Sequence, residues 1–316
     1  MYITLQNNLH TLCMPKLVFG AGNFSDYTQK EAYFALLDAF YAAGGRCIDT
    51  ARYYGHGVSE RVIGEWIKSR AIPRDELILV TKGGFPELHD MHASRLTREQ
   101  IGQDLTESLA DLGLDYVDVY LLHRDNPQKP ASLFIDILDE LTQNGRIRIG
   151  GVSNWTGARI SEANQYAAQS GKNPIGVSQI NFNLAHTTPE LLADDTLVCM
   201  NPTEAAFYRT SGLPLMAYAA LAKGYYPKLA EGKPLPPKAQ ARYDSPLNRK
   251  RFSVLKELIA AYRVPPAAAA LAYLTSHPIQ TAAVFSCSKP EQVTEAMQAD
   301  SVCFSDDEIR RLEVEA

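Results

Sequence analysis

The sequence predicts an α/β fold: a (β/α)8 TIM barrel over residues 1–316 as one domain, with an N-terminal β-hairpin and a long loop after the seventh barrel strand. Three observations point there. Apolar strand-like runs alternate eight times with helix-like patterns, which favours a parallel sheet wrapped by helices. The runs are nearly continuous in Val, Ile, Leu and Tyr, as strands buried on both faces are. A length of 316 residues is one that such barrels fill without a second domain.

The elements follow in order. A hairpin turns at Asn7 and Asn8, and "LVFGAG" (17–22) leads to the helix pattern "YTQKEAYFALLDAFYAAG". "RCIDTA" (46–51) precedes "SERVIGEWIKSR", and "LILVTK" (77–82) precedes "TREQIGQDLTESLADLG". "YVDVYLLH" (116–123) is followed by "ASLFIDILDELTQNG", and "IRIGGVSN" (147–154) by "ARISEANQYAAQSG". "IGVSQINF" (175–182) leads to a less regular segment through Gly212, and "PLMAYAAL" (214–221) to the helix around "RKRFSVLKELIAAYRV". "TAAVFSCS" (281–288) and "PEQVTEAMQAD" close the series. Thr97 with Gln100 reads as a capping box, and Gly44, Gly113, Gly145 and Gly171 stand where a glycine ends a helix. An open, doubly wound sheet is the main alternative, but "GAGNFS" lacks the third glycine of a dinucleotide-binding turn and no helix follows at once.

Composition narrows the function. With a net charge of −5 and a pI near 5.8, the chain lacks the basic surface that nucleic acid requires. No apolar run approaches the ~20 residues of a membrane span. The first residues carry no signal-like segment, so a cytoplasmic location is expected. Five widely spaced cysteines give neither a disulfide framework nor a zinc knuckle. "HDMH" (89–92) offers two His and an Asp but no further ligand, so no metal site is expected. The segment 221–246, rich in Pro, Gly and basic residues, reads either as a cover over a ligand or as a surface excursion, and Tyr225 and Tyr226 within it share that ambiguity.

In a barrel the catalytic groups come from the C-terminal ends of different strands. Here the ends carry Asp49 with Tyr54 a short loop later, Lys82, His123, Ser153 with Asn154, and Gln179. A carboxylate, a phenol, an ammonium and an imidazole make a proton-donating site: Lys82 should lower the phenol pKa, Asp49 should keep the ammonium charged, and His123 should orient a carbonyl.

The runs "DTARYYGHGVSERVIG", "VTKGG", "LDYVDVYLLHRDNP", "GRIRIGGVSN", "QINFN" and "SKPEQVTEA" resemble, in order and over almost the whole chain, the aldo-keto reductase superfamily. The resemblance implies that Asp49, Tyr54, Lys82 and His123 form the catalytic tetrad. It also implies that Ser153, Asn154 and Gln179 hold the carboxamide of a nicotinamide cofactor and that Tyr218 stacks on its ring. Further cofactor contacts are expected at Gly20, Ala21 and Gly22, at Ala219, Leu221, Lys223 and Gly224, and at Ser286, Ser288, Lys289, Gln292 and Glu295.

The segment "VFSCSKPEQVTEAM" departs from the family pattern at Phe285, Ser286, Gln292 and Ala296, which thins the charge around a 2′-phosphate. Lys289, Ser286, Ser288 and the helix N-terminus can still bind one, so NADP(H) is favoured and NAD(H) stays open. Phe24, Phe85 and Trp155 follow strand ends and are expected to line the substrate pocket.

The activity so implied is reduction of aldehydes or ketones to alcohols by hydride transfer, with Tyr54 as proton donor and a small carbonyl compound as substrate. The protein is expected as a monomer or weak homo-oligomer. Two other readings stand beside it: a Schiff-base aldolase acting through Lys82, and a nicotinamide-binding redox sensor or auxiliary protein with weak catalysis.

Overall fold

The structure, a computed structural model, describes residues 1–87 and 89–313. Strands β1 (Tyr2–Gln6) and β2 (Thr11–Pro15) pair antiparallel, with Tyr2 opposite Pro15 and Gln6 opposite Thr11. Asn7 fixes the turn, its side-chain oxygen accepting the N–H groups of Leu9 at 2.9 Å and His10 at 2.8 Å. Eight parallel strands then close into a barrel in the order β10-β3-β4-β5-β6-β7-β8-β9. They are β3 (Leu17–Gly20), β4 (Cys47–Asp49), β5 (Ile78–Gly83), β6 (Val117–Leu122), β7 (Ile147–Ser153), β8 (Val177–Asn181), β9 (Leu215–Tyr218) and β10 (Thr281–Phe285).

Alternation along each strand sorts its side chains. Val18, Cys47, Val80, Val119, Leu121, Ile149, Val177, Met216, Ala282 and Val284 form one buried cluster inside the barrel, and Ile3, Leu5 and Met14 of the hairpin join it. Their neighbours, among them Phe19, Ile48, Leu79, Tyr120, Leu122, Val152 and Ile180, belong to the larger cluster shared with the helices. The two-residue period of a strand thus supplies both layers from nearly continuous apolar runs.

The surrounding helices are α1 (Lys30–Ala42), α2 (Val58–Ser69), α3 (Arg98–Leu112), α4 (Ala131–Gln143), α5 (Gly157–Ser170), α6 (Pro189–Leu192) and α7 (Pro202–Ser211). After β9 come α8 (Tyr225–Ala230), α9 (Pro237–Tyr243), α10 (Pro246–Tyr262), α11 (Pro266–Thr275), α12 (Pro290–Met297) and α13 (Asp306–Leu312). The capping box expected at Thr97 and Gln100 is present, and Gly113 and Gly171 end α3 and α5 in the left-handed conformation. Among the described residues no single helix is long and apolar enough to cross a membrane.

The segment 221–246 differs from the loop the sequence predicts. It holds a 3-10 turn at Ala222–Gly224, then α8 and α9. Pro237, read as a loop residue, sits in the first turn of α9, where its missing N–H costs nothing. Tyr225 and Tyr226 are buried, packing with Tyr243 and Phe252.

Candidate active site

The parity that fills the barrel interior also aims its polar rim. Asp49 lies two residues beyond Cys47, Lys82 two beyond Val80, His123 two beyond Leu121, Gln179 two beyond Val177 and Tyr218 two beyond Met216. Each therefore continues the inward face of its strand past the apolar plug. Lys82 is fully buried there and donates to Asp49 Oδ2 at 2.7 Å, the Thr50 carbonyl at 2.8 Å and the Tyr54 phenol oxygen at 3.3 Å. Gln179 Nε2 donates to Asp49 Oδ1 at 2.8 Å, so both carboxylate oxygens are engaged. Burial works against the Lys82 charge, but Asp49 and Tyr54 outweigh it and hold the ammonium above its ordinary value.

Tyr54 rides on a turn that few sequences could make. Gly55, His56 and Gly57 all have positive φ, at 59°, 51° and 88°. A Cβ at Gly55 would meet the Ser25 Cα at 2.7 Å, so the glycine lets this turn pack under the loop after β3. The turn is anchored by Arg52, whose guanidinium donates to Glu107 at 2.9 Å, Glu60 at 3.2 Å and Asp111 at 2.5 Å. Glu60 is itself buried and accepts the Thr81 hydroxyl at 2.6 Å, linking the anchor to the residue before Lys82.

The expected lowering of the phenol pKa is not the net result. Burial pushes the Tyr54 phenol above its usual value, and Lys82 pulls against that without overcoming it. The phenol is therefore protonated through the neutral range. His123, whose backbone N–H donates to the Gly83 carbonyl at 2.9 Å, presents its ring edge-to-face to Tyr54 at 5.7 Å. Burial, with Lys82 and Arg124 adding to it, depresses the imidazole well below its ordinary value and keeps it neutral. Its Nδ1 is buried and has no hydrogen-bond partner among the described residues.

Asn154, in the left-handed conformation, donates through Nδ2 to Ser153 Oγ at 3.0 Å. Its Oδ1 accepts the Tyr218 hydroxyl at 2.8 Å and the Val198 N–H at 3.2 Å. Adjacent hydroxyl and amide groups beside a Tyr218 ring fit a nicotinamide, which needs both hydrogen-bonding partners for its carboxamide and a flat apolar face. After β9, Ala219, Ala222, Lys223 and Gly224 all have positive φ, a concentration of unusual backbone that fits a ligand clamp. Leu221, between them, is half-buried.

Ser286, Ser288 and Lys289, before α12, and Gln292 and Glu295, along it, are exposed. The Gln292 Oε1 already accepts the Ser288 N–H and hydroxyl, both at 3.1 Å. Gly20 and Ala21 are buried, and the Ala21 N–H and carbonyl are committed to Asp49 and Ser59; Gly22 is the exposed member of that run.

Two expected pocket residues lie elsewhere. Phe24 is buried and stacks on Tyr33 at 4.2 Å, and Trp155 is buried against Phe134 with its Nε1 bonded to the Arg124 carbonyl. Position after a strand does not fix direction, and both side chains turn into the core. Phe85 does face the rim: it stacks on Tyr53 at 3.8 Å and meets His123 at 4.8 Å. Tyr53 and Arg124 complete this wall, and of the two Arg124 has no role in the sequence reading. The His92 ring lies 3.4 Å from Asp195, and the described residues hold no cluster of three or more metal-ligating groups.

The family model described as "Aldo/keto reductase family" matches residues 16–314. Norsolorinic acid reductase of Emericella nidulans is 29% identical over 314 residues, covering 96% of this chain and 77% of that protein. An NADP(+) aryl-alcohol dehydrogenase of Phanerodontia chrysosporium is 32% identical over 164 residues, 49% of this chain and 42% of its own length. The chain spans about half the length of the aryl-alcohol dehydrogenases it matches. A thermostable aldo-keto reductase, crystallised with the inhibitor epalrestat, superposes with a TM-score of 0.73 at 25% identity, over 99% of this chain and 98% of that one.

Proposed function

The chain belongs to the aldo/keto reductase family, and from that premise we propose that it acts as a single domain to reduce aldehydes or ketones, aromatic ones above all, to alcohols. The observation that carries this reading is the contact of one ammonium, Lys82, with both a carboxylate and a phenol: 2.7 Å to Asp49 and 3.3 Å to Tyr54.

When bound, a reduced nicotinamide supplies the hydride. The residues of the chain do the rest. Tyr54, protonated at neutral pH, gives its proton to the carbonyl oxygen as negative charge develops there. Lys82 stabilises the phenolate that remains, and Asp49 keeps Lys82 charged and in place. His123, neutral, offers a ring N–H to orient the carbonyl oxygen. Ser153, Asn154, Gln179 and Tyr218 hold the cofactor ring, while Lys289 and Ser288 favour the phosphate of NADP(H).

The aromatic preference rests on the stacked Tyr53–Phe85 wall and agrees with the names of the aryl-alcohol dehydrogenases above. The contacts that hold Lys82 charged argue against a Schiff-base role, since a nucleophilic amine must be neutral.

The test is fluorescence titration with NADPH and NADH, then cofactor oxidation across a panel of aromatic and aliphatic carbonyls. Turnover of aryl aldehydes supports the proposal. Tight nicotinamide binding without turnover of any carbonyl would overturn it in favour of a redox-sensing role.

A further inference from the structure

Arg124 follows His123 directly, and its side chain is only 9% exposed. The guanidinium ties its own loop to the one after α6: Nε donates to Thr196 Oγ1 at 3.0 Å, and the terminal nitrogens donate to the His123 carbonyl at 3.0 Å and to Asp194 Oδ2 at 3.3 Å. It also lies 4.9 Å from the centre of the Phe85 ring. A guanidinium has five N–H donors, and among the described residues the remaining two have no protein acceptor.

Charge bookkeeping at the rim makes this cation unusual. Among the described residues, Lys82 is matched by Asp49 at 2.7 Å, whereas Arg124 is matched only by Asp194, at the longer 3.3 Å. Asp194 is also drawn away, its other oxygen accepting the Thr196 N–H at 3.0 Å and hydroxyl at 2.5 Å. The charge reaches the reacting groups. Burial raises the phenols of Tyr53, Tyr54 and Tyr218, and Arg124 pulls against it at all three; at His123 it adds to the depression that burial and Lys82 cause.

We propose that Arg124 recognises substrate: it binds the carboxylate of carbonyl compounds that carry one, so acidic aromatic aldehydes are reduced in preference to their neutral counterparts. This rests on the reading of the site as a carbonyl reductase. The substrate ring lies along the Phe85 wall, its carbonyl meets Tyr54 and His123, and its carboxylate takes the two remaining guanidinium donors. In so confined a site a charge-assisted pair is strong, because little water competes.

The experiment compares 2-, 3- and 4-carboxybenzaldehyde, each against its methyl ester, by kcat/KM. Three ring positions sample the unknown spacing, and the ester keeps the bulk while removing the charge. For at least one isomer the acid-to-ester ratio should be about tenfold higher in the wild type than in Arg124→Gln, with Arg124→Lys between them. Asp194→Asn, which removes the competing carboxylate and leaves Arg124 in place, should raise the same ratio and keeps the test open if Arg124→Gln does not fold. Equal ratios in the wild type and Arg124→Gln for all three isomers, or no change in Asp194→Asn, would overturn the proposal. Reduction of the esters without any preference for the acids would sink this inference alone. Failure to reduce any carbonyl would sink the reductase reading beneath it.

Discussion

Lys82 Nζ and Asp49 Oδ2 meet at 2.7 Å in a region where both side chains are buried. The pair is made by strand parity: β4 and β5 are neighbours, and each ends its inward face on one of the two charges. Replacing Lys82 by Met leaves a buried carboxylate with no cation and should cost about 3–5 kcal/mol, read by urea unfolding. The same variant should lose about 10²–10³-fold in kcat, because the phenolate left by proton transfer has no counter-charge.

The pH profile of reduction should be flat across neutrality. Tyr54 must be protonated to act, and its pKa is raised from 10.0, so the rate falls only in the alkaline range above that value. His123 lies well below 6.5, so no inflection should appear near that pH. An inflection near neutrality that His123→Asn abolishes would contradict this assignment. Stability carries the opposite edge: below pH 6.5 the unfolded chain takes up a proton that buried His123 resists, so folding free energy is lost as the pH falls.

Arg52 is expected to act through Tyr54 rather than on substrate. Arg52→Met strands Glu60, Glu107 and Asp111 without their cation, of which only Glu60 is fully buried, so a loss of about 2 kcal/mol is expected in urea unfolding. A looser turn should lower kcat more than it raises KM. Full recovery of kcat in Arg52→Lys would be unexpected, since one ammonium cannot reach three carboxylates in a fork.

Lys289 should bias the choice of cofactor. Lys289→Met is expected to weaken NADPH about fivefold to tenfold and to leave NADH within twofold, as measured by fluorescence titration. Equal losses for both cofactors would remove Lys289 from the phosphate site.

The sequence conveyed most of the barrel because its strands are continuous apolar runs, and the polar residue ending each run is conspicuous. Lys82 after "LILVT" and His123 after "YVDVYLL" are legible for that reason. Helix α11, "PAAAALAYLT", went unread: it is buried nearly all round and shows no amphipathic period. The directions of Phe24 and Trp155 are not legible because a loop residue has no parity to fix them. Arg124 stands beside His123 in the sequence, but its partners Asp194 and Thr196 come from a distant loop, and only the fold brings them together. The direction of the Tyr54 shift is not legible in the sequence because it depends on burial, which outweighs the ammonium beside it.

The central claim is that Tyr54, set against Lys82 and Asp49, donates the proton. Its most direct test is Tyr54→Phe, assayed for aryl aldehyde reduction with nicotinamide affinity measured in parallel. The expected result is a loss of about 10²–10⁴-fold in kcat with cofactor affinity unchanged within twofold. Retention of full activity in Tyr54→Phe would contradict the account.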